Sequence, residues 1–288
     1  MTAVRASPQQ RAGRDRIWRR EKQVRRWTRW FRILPSFIII GAMRCGTTSL
    51  YAYLCEHPQV LPAAKKEVRF FDRRFQRGLG WYRSRFPLLT TKSWRSVRCH
   101  RPAITGEASP YYLYHPQIAG RIAATLPDVK LIVLLRNPAD RAYSHYQLTV
   151  RSDREPLSFQ EAIRKQDQRL RRSRERANGD DPYRSRAYRL YSYVDRGIYV
   201  DQLRAYDAFL AKQQMLVLKS EDLFEKTQET YDVVLRFLGL SPWKLRSIEP
   251  RHAGSYSREK PPGYDELREF YAPHNQRLYE YLGRDLGW

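Results

Sequence analysis

The chain has 288 residues and carries 54 Lys plus Arg against 30 Asp plus Glu, a formal net charge of +24. That length buries a full core as one domain, and the 42% hydrophobic and 13% aromatic content excludes wholesale disorder. The charge favours anionic partners (a phosphate-bearing cofactor, an acidic substrate, nucleic acid or an anionic membrane) without choosing among them.

Residues 1 to about 34 hold 11 Arg and Lys against 2 Asp and Glu, or 11 − 2 = +9. Ile17, Val24, Trp27, Phe31 and Leu34 recur at three-, four- and seven-residue steps, so a helix here has one apolar face in a basic surround. Such a helix either lies on an anionic membrane surface or packs back on the domain. From residue 35 the pattern changes. Ser36 to Ile40 reads as a short buried strand, Gly41 to Gly46 as a turn and Thr47 to Glu56 as a helix. The run from Gly106 to Tyr112 ends a strand. Lys130 to Leu135 is a strong strand, with a helix beginning near Ala139. About 151–190 is highly charged and reads as a helix followed by a mobile loop, inserted at the rim of the site. Gln214 to Leu218 is another strand, Ser220 opens a helix, and Tyr264 to Tyr281 is helical in pattern. Apolar runs alternating with helical patterns predict an α/β fold, a P-loop-type parallel sheet flanked by helices on both faces. The chain divides into a basic arm, 1–34, and one domain, 35–288.

From Phe37 to Leu50 the sequence is F-I-I-I-G-A-M-R-C-G-T-T-S-L. A strand, a glycine turn and a helix start point backbone N–H groups at one spot, where the helix N-terminus favours an anion. Gly41 and Gly46 have the G-x4-G spacing of a nucleotide P-loop, but Thr47 follows Gly46 where a nucleoside triphosphatase needs Lys. The basic residue stands inside the loop, at Arg44, which argues against a triphosphate and a required metal. Further on, Arg136 ends a strand and Ser144 lies eight residues later, two turns into the helix that Pro138 begins. A guanidinium and a hydroxyl so placed converge on one phosphate.

The loop resembles the 5′-phosphosulfate loop of the sulfotransferases that use 3′-phosphoadenosine 5′-phosphosulfate (PAPS). The likeness is to the branch that includes heparan sulfate sulfotransferases and bacterial relatives, where G-x-x-K-x-G-T-T is common. Arg44 replaces the usual Lys, keeping the charge but bringing a planar fork. The resemblance implies that Arg44, Cys45, Gly46, Thr47, Thr48 and Ser49 hold the donor, with Arg44 also stabilising charge on the leaving phosphate. Arg136 and Ser144 match the family's 3′-phosphate motif. The run Lys65-Lys66-Glu67-Val68-Arg69-Phe70-Phe71 is similar to the branch's K-E-x-H-F-F, with Arg69 in the His position. That match implies Glu67 as the general base and Lys66 as a contact to the sulfonate or an anionic acceptor. Tyr193 to Leu203 and the tail from Tyr271 to Trp288 resemble the branch more loosely. The stretch His252 to Pro262, with Ser255, Arg258 and Lys260, sits where the family has a basic loop over the nucleotide.

The implied reaction is in-line transfer of a sulfonate from PAPS to a hydroxyl or amine, without a metal. The acceptor (glycan, lipid or small metabolite) is not encoded in a motif; the positive charge tilts it towards an anionic glycan or a membrane-associated molecule. Three rivals remain at this point: an ATP-using P-loop kinase; a non-catalytic basic nucleic-acid-binding protein, for which no reading motif is visible; and an inactive family member used as a scaffold. Cys45, Cys55 and Cys99 form no CxxC pair and no zinc-type spacing with His. With no run near the roughly 18–20 apolar residues of a membrane span and no secretory pattern, the expected place is the cytoplasm, peripheral at the membrane through the arm.

Overall fold

A computed structural model describes residues 21, 23–177, 181–247 and 260–288. Five strands form one sheet: β1 (Phe37–Gly41), β2 (Val60–Pro62), β3 (Ile104–Ala108), β4 (Lys130–Leu135) and β5 (Met215–Lys219). Their order is β2-β3-β1-β4-β5, and every pairing is parallel. A parallel strand covered on both faces needs an unbroken apolar run, and Phe37 to Ile40 and Leu131 to Leu135 are all fully buried. The covering helices are α1 (Thr47–Glu56), α2 (Gly78–Arg83), α3 (Leu89–Cys99), α4 (Ile118–Thr125), α5 (Pro138–Val150) and α6 (Phe159–Arg164). After them come α7 (Gln166–Ala177), α8 (Arg186–Tyr191), α9 (Tyr199–Asp207), α10 (Ser220–Glu225), α11 (Thr227–Leu238) and α12 (Tyr264–Leu282). The expected parallel sheet flanked by helices is thus present.

The strand order places the site. From β1 the chain leaves through α1 towards β2 and β3; from β4 it leaves through α5 towards β5. Between β1 and β4 the connections diverge, and in such sheets the crevice outside the carboxyl ends of the two strands is where ligands bind. Both anion motifs of the sequence follow these two strands. The N–H of Ala42 donates to the Leu134 carbonyl at 2.7 Å, so the turn after β1 is tied to β4.

A second buried cluster joins Ala139 and Ala142 of α5 to Phe159 and Ala162 of α6, Tyr193, and Tyr264, Leu267 and Tyr271 of α12. It fixes α5, and with it Ser144, from the side away from the sheet. Within 151–190 the expected helix is α7, preceded by the short α6; α8 stands in the part where a loop was expected, and residues 178–180 of that loop lie outside the described residues. Six-residue helices show no apolar period, so only their caps betray them. Ser158 and Glu161 form a reciprocal capping box, and the Ser185 hydroxyl accepts from the Tyr188 N–H at 3.3 Å.

The arm also differs from expectation. Residues 23–27 are helical and Arg29–Phe31 form one 3-10 turn, after which the chain is extended. Pro35 disfavours helix at Leu34, which packs with Ile33 against the main core. Arg32 pairs antiparallel with Leu88, and its buried guanidinium donates to the Phe86 carbonyl at 2.7 Å. Val24, Trp27 and Phe31 are all exposed, while Ile17 lies outside the described residues.

Candidate active site

The turn from Gly41 to Gly46 is shaped by two close approaches. A Cβ on Gly41 would stand 2.5 Å from the Leu113 Cβ, and Gly46 has φ +82 with the Phe224 ring 2.9 Å from where its Cβ would be. Glycine is required at both. Gly46 caps α1 with no side chain of its own to bond the first turn, and no acidic residue occupies that turn. An uncapped helix N-terminus at the end of a central parallel strand fits a bound phosphate group. Cys45 and Ser49 are buried and Thr47 nearly so, so they shape the turn. Burial pushes the Cys45 thiol up to about 11, against the pull of the Arg141 and Arg136 charges, so it stays protonated at neutral pH.

The second motif meets the first directly: Arg44 Nε donates to Ser144 Oγ at 3.0 Å. Asn137 caps α5, its side chain accepting from the N–H groups of Ala139 and Asp140 at 3.0 and 3.3 Å. The Arg136 carbonyl accepts from Tyr199 at 2.9 Å, and its charge is felt by Cys45 in the loop and by Asp140. Arg44 and Ser144 are thus in contact, and the Arg136 charge lies near the same loop. Burial would raise Asp140, but bonds from Lys260 and Tyr264 and the Arg136 charge leave it below the usual range. Lys260 is the one member of the basic 252–262 stretch named above that is described; Ser255 and Arg258 lie outside the described residues.

The candidate base segment is bound to the same loop. Lys66 Nζ donates to Thr48 Oγ1 at 2.7 Å and lies 3.4 Å from Glu67 Oε1. Glu67 is 43% exposed. Arg69, with φ +56, turns its guanidinium onto Asp72 at 2.9 Å and over the Tyr111 ring at 5.2 Å.

Glu67 and Arg69 line two clefts at once. One, of about 500 Å³, also presents Arg154, Arg186, Arg189 and Arg196, with Met43 of the phosphate turn at its floor. The other, of about 930 Å³, is walled by Arg25, Arg26 and Arg29 of the arm and by Arg73, Arg74 and Arg77, with Trp30 and Trp81. Arg186 also lines a third basic cleft, of about 810 Å³, with Arg169, Arg172 and Arg184.

Arg141, Arg196 and the arginines lining the clefts have no role assigned by the sequence motifs. Arg196 is 3% exposed, sits 4.8 and 4.9 Å from the Tyr111 and Tyr114 ring centres, and donates to Ser192 at 2.7 Å. Burial lowers it to about 10, so it remains a cation at neutral pH. Arg141 is fully buried and donates to the Tyr193 carbonyl. Between them His145, next to Ser144, is held well below its usual range by burial and by the Arg196, Arg141 and Arg44 charges, and so is neutral. No local pattern marks them: each directly follows an aspartate, Asp140 and Asp195, as a surface arginine would.

Residues 34–253 match the family described as Sulfotransferase domain. The chain is 30% identical over 283 residues to heparan sulfate glucosamine 3-O-sulfotransferase 3B1 of Homo sapiens, across 88% of this chain and 65% of that protein. It is 24% identical over 320 residues to the membrane-associated sulfotransferase kil1 of Dictyostelium discoideum, across 88% and 66%. The chain thus spans about two thirds of the length of these curated relatives. Among solved structures, a sulfotransferase from Alicyclobacillus acidocaldarius shares its fold with a TM-score of 0.67 at 30% identity, over 88% of this chain and 98% of that one. Matched by one family over most of its length, and sharing fold and sequence with a solved member, this chain belongs to the sulfotransferase family.

Proposed function

We propose that the protein transfers a sulfonate group from PAPS to a hydroxyl or amine of an extended, anionic acceptor such as an acidic glycan. The observation that carries the reading is the Arg44–Ser144 bond, which makes one basin of the two nucleotide motifs, with Lys66 linking it to Glu67. The first-turn amides of α1, with Arg44, Thr47 and Thr48, would hold the 5′-phosphate end of the donor, and Arg136 with Ser144 the 3′-phosphate. PAPS supplies an activated sulfonate, whose bond to the phosphate oxygen breaks as the acceptor attacks sulfur. Glu67 takes the proton from the acceptor hydroxyl or amine, which is a poor nucleophile without a base. Arg44, Lys66 and the loop amides are placed to stabilise the negative charge gathering on the departing phosphate.

The acceptor class follows from where Glu67 stands. Basic clefts open on both sides of it, and a third continues past Arg186. A short neutral alcohol uses none of that charge, whereas a polyanion threaded past Glu67 engages it on both sides. The test is transfer of labelled sulfonate from PAPS to an acidic oligosaccharide and to a neutral one of equal length. Transfer to the acidic chain alone is expected; equal transfer to both would overturn the acceptor class.

A separate observation favours peripheral membrane contact. Val24, Trp27 and Phe31 face outward at 58%, 76% and 71% exposure, while Arg25, Arg26 and Arg29 turn into the cleft. An apolar aromatic face on a cationic arm suits an anionic bilayer surface. Co-sedimentation with anionic vesicles should fall for Trp27→Ser combined with Phe31→Ser; undiminished binding would discard the reading.

A further inference from the structure

Three consecutive amides follow Glu67, and all three lead to one buried side chain. The Val68 N–H donates to Glu107 Oε2 at 3.0 Å. The Arg69 N–H donates to Ser109 Oγ at 3.2 Å, and that hydroxyl donates in turn to Glu107 Oε2 at 2.7 Å. The Phe70 N–H donates to the Tyr112 oxygen at 2.8 Å, and Tyr112 donates to Glu107 Oε1 at 3.3 Å. On the other side of Glu67, the Lys66 carbonyl accepts from the Ala108 N–H at 2.9 Å. Tyr82 completes the set, donating to Glu107 Oε1 at 2.7 Å. Glu107 itself is fully buried at the end of β3, beside the central strand β1.

A carboxylate serving only the core would satisfy core groups. This one holds a loop, in which Arg69 takes a left-handed backbone and Glu67 remains exposed between anchored neighbours. We propose that Glu107 is the positioning residue for Glu67, holding residues 66–70 to the rigid end of the sheet so that the base keeps one place beside Lys66 and Thr48. The inference rests on Glu67 being the base. General-base catalysis depends on such placement, because a displacement of about 1 Å at a reacting group costs on the order of 100-fold in rate.

The hold varies with pH. Burial pushes the Glu107 carboxyl up to about 7, against the bonds from Ser109, Tyr82, Val68 and Tyr112 that favour the anion. The titratable groups facing it are the phenols of Tyr82 on α2, Tyr112 after β3 and Tyr51 on α1, all raised by burial and protonated throughout. Glu107 is therefore the member of this cluster that changes charge near neutrality, and its charge is what successive N–H groups attract.

The test compares wild type with Glu107→Gln and Ser109→Ala by amide hydrogen exchange, by affinity for adenosine 3′,5′-bisphosphate, and by sulfonate transfer to an acidic oligosaccharide. In Glu107→Gln the amides of Val68, Arg69 and Phe70 should exchange roughly 10-fold faster or more, with strand amides unchanged. Affinity for the bisphosphate should stay within about twofold, while kcat falls roughly 10-fold or more and KM stays within about threefold. The acid limb of the wild-type kcat profile near pH 7 should vanish in the variant. Should Glu107→Gln fail to fold, Ser109→Ala must speed exchange at Arg69. Wild-type exchange rates at residues 68–70 in a folded variant, or an unaltered kcat and pH profile, would overturn the proposal. Wild-type protein inactive on the oligosaccharide would count against the acceptor assignment, and the exchange rates would still decide the role of Glu107.

Discussion

The two sides of the site are built from different materials. On the nucleotide side, the anion-facing groups are backbone amides at the start of α1 and residues at the end of β4, both set by strands that are fully buried. On the acceptor side, the walls are long arginine side chains drawn from the arm, from residues 69–77 and from 154–196. A backbone cradle has one geometry, dictated by the sheet; a wall of guanidinium groups has charge density and many geometries. On the proposed reading, donor recognition is set by the fold, and acceptor recognition by whatever the rim segments display.

The strongest way to test that division is at the junction. Glu67→Ala removes the base and leaves both sides standing, so the protein should fold and bind adenosine 3′,5′-bisphosphate while turnover falls about 10²- to 10⁴-fold. Retention of wild-type turnover would remove Glu67 from the chemistry. Beneath it, Glu107 makes an opposed pair of pH effects. Its folded carboxyl titrates near 7, above the ordinary 4.5, so the native state binds the proton more tightly than the unfolded chain. The associated stability is fully present below about pH 4.5 and is lost as pH rises through 7, on the order of 3 kcal/mol in all. Thermal midpoints measured from pH 5 to 8 should slope downward in wild type and flatten in Glu107→Gln; equal slopes would mean that Glu107 does not titrate in this window.

On the nucleotide side, Arg136→Ala should weaken binding of adenosine 3′,5′-bisphosphate by about 10- to 100-fold, the range for a hydrogen bond to a charged group. Calorimetry would settle it, and unchanged affinity would detach Arg136 from the 3′-phosphate. Adenosine 5′-phosphate, which lacks that group, should bind wild type and variant alike.

This half was legible in the sequence because few residue types satisfy its constraints. Gly46 must take a positive φ beside Phe224, Gly41 must let Leu113 approach, and the apolar runs into Gly41 and Arg136 have the lengths of buried parallel strands. Of the Arg136 and Ser144 pair, Ser144 meets Arg44 directly. Strand β2, with three residues, and the six-residue helices α6 and α8 left no periodic trace. Nor did the grip of Glu107 on residues 68–70, since it depends on β3 lying beside β2 and β1, a pairing of distant segments that no local pattern encodes. In the arm the apolar spacing runs on to Leu34, but the described helix ends at residue 27, and Arg25, Arg26 and Arg29 line the cleft, a placement that no local pattern encodes.

The smallest expected effect is the most telling about the acceptor half. Arg186 lines two of the basic clefts and touches neither nucleotide motif. Replacing it with Ala should raise the acceptor KM only a few-fold, in keeping with about 0.2–1 kcal/mol for an exposed charge pair, and leave the nucleotide affinity unchanged. The difference should shrink as salt rises from low ionic strength to about 0.5 M, because exposed charges are screened over a few ångströms there. Nucleotide binding, made by a helix N-terminus in a buried turn, should lose less over the same range. If acceptor KM proved insensitive to both Arg186→Ala and salt, the acceptor would be held by shape and hydrogen bonds instead of charge. The arginine walls would then have to be explained by another polyanion.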